Sequence, residues 1–342
     1  MVFQVIWFVL WSVLWAVYFM LDGFDLGAGV LSGFIGRGEG EKRQILGAIG
    51  PVWNGNEVWL LTAGGATFAA FPGTYALMFS YLYTALLLVL FSLIVRGVAI
   101  EFRGKVESPS WRKKWDAALV VGSFLPALLF GVAFGNIFEG LPMDAAGYHG
   151  SLLSLLNPYG LLTGVLFVLL FLMHGALYIS VKTEGAVSER AARFSRKLWF
   201  FLLAVAVAFL AHTYFATDLF ANYFRAPIFL IVPLAAVLSL LGIGIFAFTG
   251  NSLKAMLASC LTIVMVTFTG VIGLFPSLIP SSIDANYSLT IFNSSSSVYT
   301  LKIMTVVALI FVPIVIAYQV WTYRIFRSRI GEDDVSEIEA YH

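Results

Sequence analysis

Two aspartates three residues apart, Asp22 and Asp25, lie late in an apolar run that begins at the N-terminus, in the stretch LDGFDLGAG. A carboxylate deep in a bilayer is costly, and groups of this kind face a protein interior or a water-filled path. Further on, PVWNGNEVWLLTAGG sets Asn54 and Glu57 three apart, on one face of a helix. LIVRGVAIEFRGK then places Arg96, Glu101 and Arg103 at the end of another apolar run. Carboxylates and a guanidinium gathered in one half of a membrane are the parts of a proton or ion path. The acids can pass a proton, and the arginine can pair with one of them.

Histidine is the other candidate for chemistry. His174 and His212 each sit inside an apolar run and are weak candidates for haem ligation. His174 belongs toward the inner half and His212 toward the outer, so one haem held by both is not expected. A buried histidine hydrogen-bonded to a neighbouring helix is the simpler reading. Soluble-type catalysis has no signature here: there is no P-loop, no GxGxxG opening a helix after a strand and no HExxH. The single cysteine, Cys260, excludes an intramolecular disulfide or a CxxC metal or haem motif. No metal site and no catalytic residue are expected on this chain.

The elements that must hold these residues are membrane helices. Of 342 residues, 60% are hydrophobic and 11% charged, against roughly 25% charged in soluble domains. The net charge of +1, with basic residues in short loops, argues against nucleic acid. Nine spans of about 20 or more apolar residues are expected, at 4–34, 52–71, 75–99, 117–137, 160–181, 198–217, 227–249, 254–275 and 302–323. The first positive charge is Arg37, so the first span lacks a basic leader and reads as permanent. Lysine and arginine crowd loops 35–51, 100–116 and 182–197 and the tail 324–342, while alternate loops are nearly bare. This asymmetry places the N-terminus outside and the C-terminus in the cytoplasm. It also makes 276–301 the longest outer loop. The whole chain reads as a single membrane domain.

In the first span, positions 7, 11, 15, 18, 22, 25 and 29 share one face. An aromatic stripe of Trp7, Trp11, Trp15 and Tyr18 thus leads onto the two aspartates. Gly23, Gly27 and Gly29 invite a close neighbour. Asp22, Asp25, Asn54, Glu57, Arg96 and Glu101 all fall in the inner half, on the first three spans.

These segments resemble subunit II of the cytochrome bd-type quinol oxidases. The resemblance rests on LDGFDLGAG, PVWNGNEVWLLTAGGATFAAFPGTYA, the Arg96–Arg103 segment, SFLPALLFGVAFGN, LLNPYGLLTG and SSIDANYSLTIFNSSS, and covers nearly the whole chain. It implies an all-α membrane protein of nine helices, arranged as two four-helix bundles plus a peripheral helix. It also implies pseudo-symmetric pairing with a larger subunit I that carries haems b and d and the quinol site, with a small single-helix subunit as a further partner alongside lipid. The complex would oxidise quinol and reduce dioxygen to water in the bacterial plasma membrane. This chain would stabilise subunit I and supply a cytoplasm-facing proton path through Asp25, with Asp22 and Glu57 nearby and Asn54, Arg96 and Glu101 in support. Family members can carry an acid at the position of Asn54; here the acid is Glu57, three residues on. The stripe would then serve packing, including packing against subunit I. Two other classes are weighed against this reading. An independent proton- or ion-coupled transporter would favour an inverted repeat, which is not evident. A cytochrome in its own right would need His174 or His212 as a ligand.

Overall fold

The computed structural model describes residues 1–331. Part of the expected tail, including His342, lies outside the described residues. The chain folds almost wholly as helix: α1 (Val2–Ile35), α2 (Glu39–Ile49), α3 (Trp53–Ala70), α4 (Pro72–Tyr81), α5 (Tyr83–Phe102), α6 (Pro109–Glu139), α7 (Pro158–Lys182), α8 (Gly185–Ala216), α9 (Leu219–Arg225), α10 (Ile231–Phe248), α11 (Ser252–Leu274) and α12 (Val298–Ile325). Two short hairpins, Met143–Asp144 with Gly147–Tyr148 and Ser277–Ile279 with Leu289–Thr290, complete it.

Among the described residues eight helices are long and apolar enough to cross a membrane: α1, α5, α6, α7, α8, α10 with the turn before it, α11 and α12. The expected span at 52–71 does form a helix, α3. Its 18 residues include Asn54, Asn56 and Glu57 within the first two turns, which dilutes its apolar character. The expected span at 75–99 is divided at Leu82 into α4 and α5. Two charged segments read as loops are helical instead. α6 already starts at Pro109 and α8 at Gly185, extending past the apolar runs by several turns. A further helix, α2, fills the first basic loop. Charged and amphipathic sequence continues a helix readily once its apolar part is docked.

α1 is the hub. It packs against α3, α6, α7 and α11, and touches α2 and α12. Its glycines explain the crossing with α7: a Cβ on Gly27 would overlap the Phe171 carbonyl, and one on Gly175 would overlap the backbone at Ala28. Two backbones can meet this closely only where both lack a side chain. Above that crossing, Phe19 is caged by Phe130, Phe134, Phe167 and Phe171, with ring centroids 5.3–6.0 Å apart. The tryptophan stripe is buried within this chain. Trp7 donates to the Leu301 carbonyl and Thr305 Oγ1 of α12, Trp11 donates to Thr67 Oγ1 of α3, and Trp15 packs on Phe130 and Phe134 of α6. Packing of the stripe against a partner subunit is thereby corrected, because its own helices already cover it.

α12 is the least embedded helix. Only Leu301 on it is buried. It is held near its ends. Trp7 fixes the first turns, and the residues after it strap across the far ends of α2, α7 and α8. There Ile330 N donates to the Lys182 carbonyl at 2.9 Å, Glu184 N to the Ile330 carbonyl at 3.1 Å, and Gln44 Nε2 to the same carbonyl at 2.5 Å. Lys182 Nζ binds the carbonyls of Phe326 and Ser328, and the Ile330 side chain is buried in the core.

Candidate functional site

The site is assembled from α1, α3, α5 and α12. Asp22 and Asp25 lie on the buried face of α1 and are 0% and 1% exposed. Burial of this kind follows from the helix running unbroken to Ile35, so both acids fall inside it rather than at its end. Arg96, one turn and a half before the end of α5, is 1% exposed and donates from Nη2 to Asp22 Oδ1 at 2.7 Å. The same nitrogen lies 3.4 Å from Glu57 Oε2 of α3, whose side chain is 21% exposed. Glu57 therefore joins the sealed pair to the flank of the chain.

Asp25 has a different partner. Its Oδ2 accepts from Asn56 Nδ2 at 2.7 Å. Asn56 is fully buried, and its Oδ1 accepts from Gln319 Nε2 and from Tyr323 OH of α12, both at 2.9 Å. Several buried atoms in this belt have no protein hydrogen-bond partner: Tyr18 OH, Asp22 Oδ2, Asp25 Oδ1, and Nε and Nη1 of Arg96. Buried polar atoms are almost always paired, so a cluster of unpaired ones calls for water. Carboxylates, a phenol and water in one pocket can pass protons.

The sequence expectations sort cleanly. Asp22, Asp25, Glu57 and Arg96 are brought together. Asn54 and Glu101 are not: both are exposed on the outer faces of α3 and α5. The buried face of α3 is instead Asn56, Trp59, Ala63, Thr67 and Ala70, so Asn56 takes the inward place that Asn54 was expected to hold. The three-residue step from Asn54 to Glu57 is correct as helical geometry, but it follows the edge of the helix rather than the buried face. The 3-4-4-3 spacing of the inward residues could have singled out Asn56. Gln319 and Tyr323 were missed as well; their signal is two polar side chains four apart at the end of an apolar run.

His174 is buried on α7. Its Nδ1 pairs with Ser259 Oγ at 2.9 Å, and its Nε2 donates to the Met20 carbonyl at 2.8 Å. Both ring nitrogens are engaged, so this histidine does not offer a free ligand to a haem. His212 lies half-buried on α8 with its ring edge-on to Tyr159 at 5.2 Å. Among the described residues no three histidine, cysteine or acidic side chains converge as a metal site.

A second ionic cluster lies just beyond the apolar runs. Arg103, 3% exposed, donates Nη1 and Nη2 to Glu39 at 2.9 Å each and Nε to Asp116 at 2.5 Å. Lys42 joins at Asp116, and Arg43 and Arg112 at Glu39. Partial burial pushes the Glu39 carboxyl up, but the hydrogen bonds from Arg103 and Arg43 outweigh it and hold the group at about 2. This cluster ties α2, α5 and α6 together.

Fold and site thus define a class: a polytopic helical membrane protein built around a hub helix, with an incompletely paired ion cluster in its interior. The comparisons narrow the class. A family model described as cytochrome bd terminal oxidase subunit II matches residues 3–326. A Bacillus subtilis (strain 168) protein named cytochrome bd ubiquinol oxidase subunit 2 is 38% identical over 338 residues, covering 96% of this chain and 97% of the relative. The Escherichia coli (strain K12) cytochrome bd-I ubiquinol oxidase subunit 2 is 37% identical over 367 residues, covering 98% and 97%. In fold, the chain is similar to one in the structure of bd oxidase from Geobacillus thermodenitrificans, with a TM-score of 0.78 at 16% identity, over 95% of this chain and 99% of that one. The chain belongs to the cytochrome bd terminal oxidase subunit II family and is a multi-pass subunit of a bacterial membrane oxidase.

Proposed function

We propose that this chain carries protons from the cytoplasmic side of a bd-type quinol oxidase toward the oxygen-reducing centre of its partner, and that Asp25 is the residue that hands them on. The oxidase couples quinol oxidation to dioxygen reduction; the two curated relatives are named as subunits of ubiquinol oxidases. The observation that carries the reading is the pairing of one carboxylate oxygen at each aspartate. Arg96 holds Asp22 Oδ1 and Asn56 holds Asp25 Oδ2, while Asp22 Oδ2 and Asp25 Oδ1 have no protein partner. Asp25 Oδ1 is the atom at which a proton is taken up and released. Arg96 keeps a counter-charge beside Asp22, and Glu57, at the flank, admits protons to the belt.

In this arrangement haems b and d belong to subunit I, where they supply the electron transfer and dioxygen chemistry. This subunit binds subunit I along a pseudo-symmetric interface; a small single-helix subunit and lipid complete the assembly. α3 fits that role. Its outer stripe of Asn54, Val58, Leu61, Thr62, Gly65 and Phe68 is exposed and mixes small, polar and large apolar side chains, a mixture that suits contact with another membrane helix. Counting α3 with the eight apolar helices gives nine spans. They form two four-helix bundles with one peripheral helix; the distribution of lysine and arginine supports an N-terminus outside and a C-terminus inside.

The test is Asp25→Asn in the assembled two-subunit oxidase. Turnover with quinol and proton uptake are expected to fall about a hundredfold, the scale of a lost proton-transfer group, with the haem spectrum unchanged. Wild-type turnover in that variant would remove Asp25 from the path. Expression of this chain alone, followed by a haem assay, tests the division of labour: stoichiometric haem on the isolated chain would overturn it and return attention to His174 and His212.

A further inference from the structure

We infer that Gln319 and Tyr323, on the last and least embedded helix, are positioning residues for Asp25, acting by fixing which end of the Asn56 amide faces it. The inference rests on the proton-path reading of Asp25.

A primary amide offers two N–H donors and one oxygen with two lone pairs. At Asn56 all four have a counterpart. Nδ2 donates to Asp25 Oδ2 at 2.7 Å and points to the Leu21 carbonyl at 3.5 Å, while Oδ1 accepts from Gln319 Nε2 and Tyr323 OH. Turned by 180°, the amide would bring its oxygen against a carboxylate and a carbonyl, both acceptors, and would aim its own N–H groups at two donors. The observed orientation thus depends on the α12 donors on one side and, on the other, on Asp25 Oδ2 remaining an acceptor, which leaves Oδ1 as the oxygen that exchanges the proton. Remove the donors and the amide is free to turn. Its oxygen then faces Asp25 and is satisfied only when the acid keeps its proton. Release of that proton is the step that slows.

The Tyr323 ring also packs against the core, but its hydroxyl and the Gln319 amide spend their hydrogen bonds on Asn56. The helix has one buried residue, Leu301, and its anchors lie at its ends, at Trp7 and at the strap around Ile330. Gln319 and Tyr323 are spaced four apart, so one helical face delivers both donors to the same oxygen. The charged and titratable groups facing Asp25 are Asp22 of α1, Arg96 of α5, Glu57 of α3, Tyr178 of α7 and Tyr323 itself. Of these, only Tyr323 also touches Asn56.

The experiment is a double-mutant cycle in the assembled oxidase, with the haem spectrum as the assembly control. The variants are Tyr323→Phe with Gln319→Met, Asn56→Ala, the combination of all three, and Asp25→Asn. The paired α12 substitutions are expected to slow turnover about tenfold, as for one lost hydrogen bond to a charged group. They should add nothing further in the Asn56→Ala background and should shift the infrared carbonyl band of Asp25. Tyr323→Phe alone, which removes one oxygen and no packing volume, should give a smaller loss. Asn56→Asp keeps an acceptor for α12 but loses the donor to Asp25, so it should be as slow as Asn56→Ala. Wild-type speed in the α12 pair, or losses that add to those of Asn56→Ala, overturns the inference while a slow Asp25→Asn leaves the proton path standing. A fast Asp25→Asn overturns both.

Discussion

Arg96 and Arg103 sit two turns apart on the same stretch of chain, both buried and both set between two carboxylates, yet they are built differently. Arg103 engages all three of its nitrogens, with Glu39 on one side and Asp116 on the other. Arg96 engages only Nη2, with Asp22 at 2.7 Å and Glu57 at 3.4 Å, and leaves Nε and Nη1 without protein partners. A fully engaged guanidinium fork fixes geometry and has nothing left to exchange. A partly engaged one, in the company of unpaired carboxylate oxygens, holds charge where water must complete the pairing. The first cluster is a staple between helices just beyond the apolar runs. The second supports the proton-path reading, because it spends burial on charge without closing the network.

That contrast can be broken by substitution. The largest effect is expected for Arg96→Met, which leaves Asp22 buried without a counter-charge; loss of one partner of a buried pair costs about 3–5 kcal/mol. Measured as yield and melting temperature of the assembled complex, it should abolish or severely reduce assembly. A wild-type melting temperature would mean that Asp22 is not held as a charge by Arg96. Next, adding Asp22→Asn to Arg96→Met should recover most of the assembly, since the stranded charge is then gone; failure to recover would place the defect in packing. Glu57→Gln comes third. Assembly should be preserved and turnover should fall about tenfold, less than for Asp25→Asn; full activity would remove Glu57 from the path.

The smallest effects belong to the staple. Arg103→Met should lower stability by about 1 kcal/mol, given partners that are 37% and 16% exposed, and should leave turnover unchanged. Its pH signature is specific. The Glu39 carboxyl is held at about 2, below its ordinary 4.5, so its contribution is complete above about 4.5 and is lost as pH falls toward 2. Melting temperatures taken from neutral pH down to about 3 should fall less steeply in Glu39→Gln than in wild type. An unchanged slope would detach Glu39 from the acid sensitivity.

The charged members of the site were legible in the sequence because a charge inside an apolar run is conspicuous. Asp22, Asp25, Glu57 and Arg96 needed only depth and helical spacing to be grouped. The stripe from Trp7 to Gly29 was legible for the same reason, and every one of its seven positions is buried. Asn56 was not, because the choice between two asparagines two residues apart depends on how α3 is rotated against α1, which packing decides. Glu101 failed similarly: the end of an apolar run fixes depth but not which side of the helix faces inward. Gln319 and Tyr323 were beyond local reading, since they meet Asn56 across more than 260 positions of chain. The unbroken helical starts of α6 and α8 were hidden by charge, which marks a membrane boundary but not a helix end.

The strap at Ile330 bears on the order in which this chain is made. Asp25 and Asn56 are made more than 260 residues before Gln319, Tyr323 and the strap residues that seat their helix. The carboxylate on the buried face of α1 is therefore inserted long before its surroundings are finished. A chain that stops short of residue 319 has every acid of the cluster and lacks the two donors that orient Asn56.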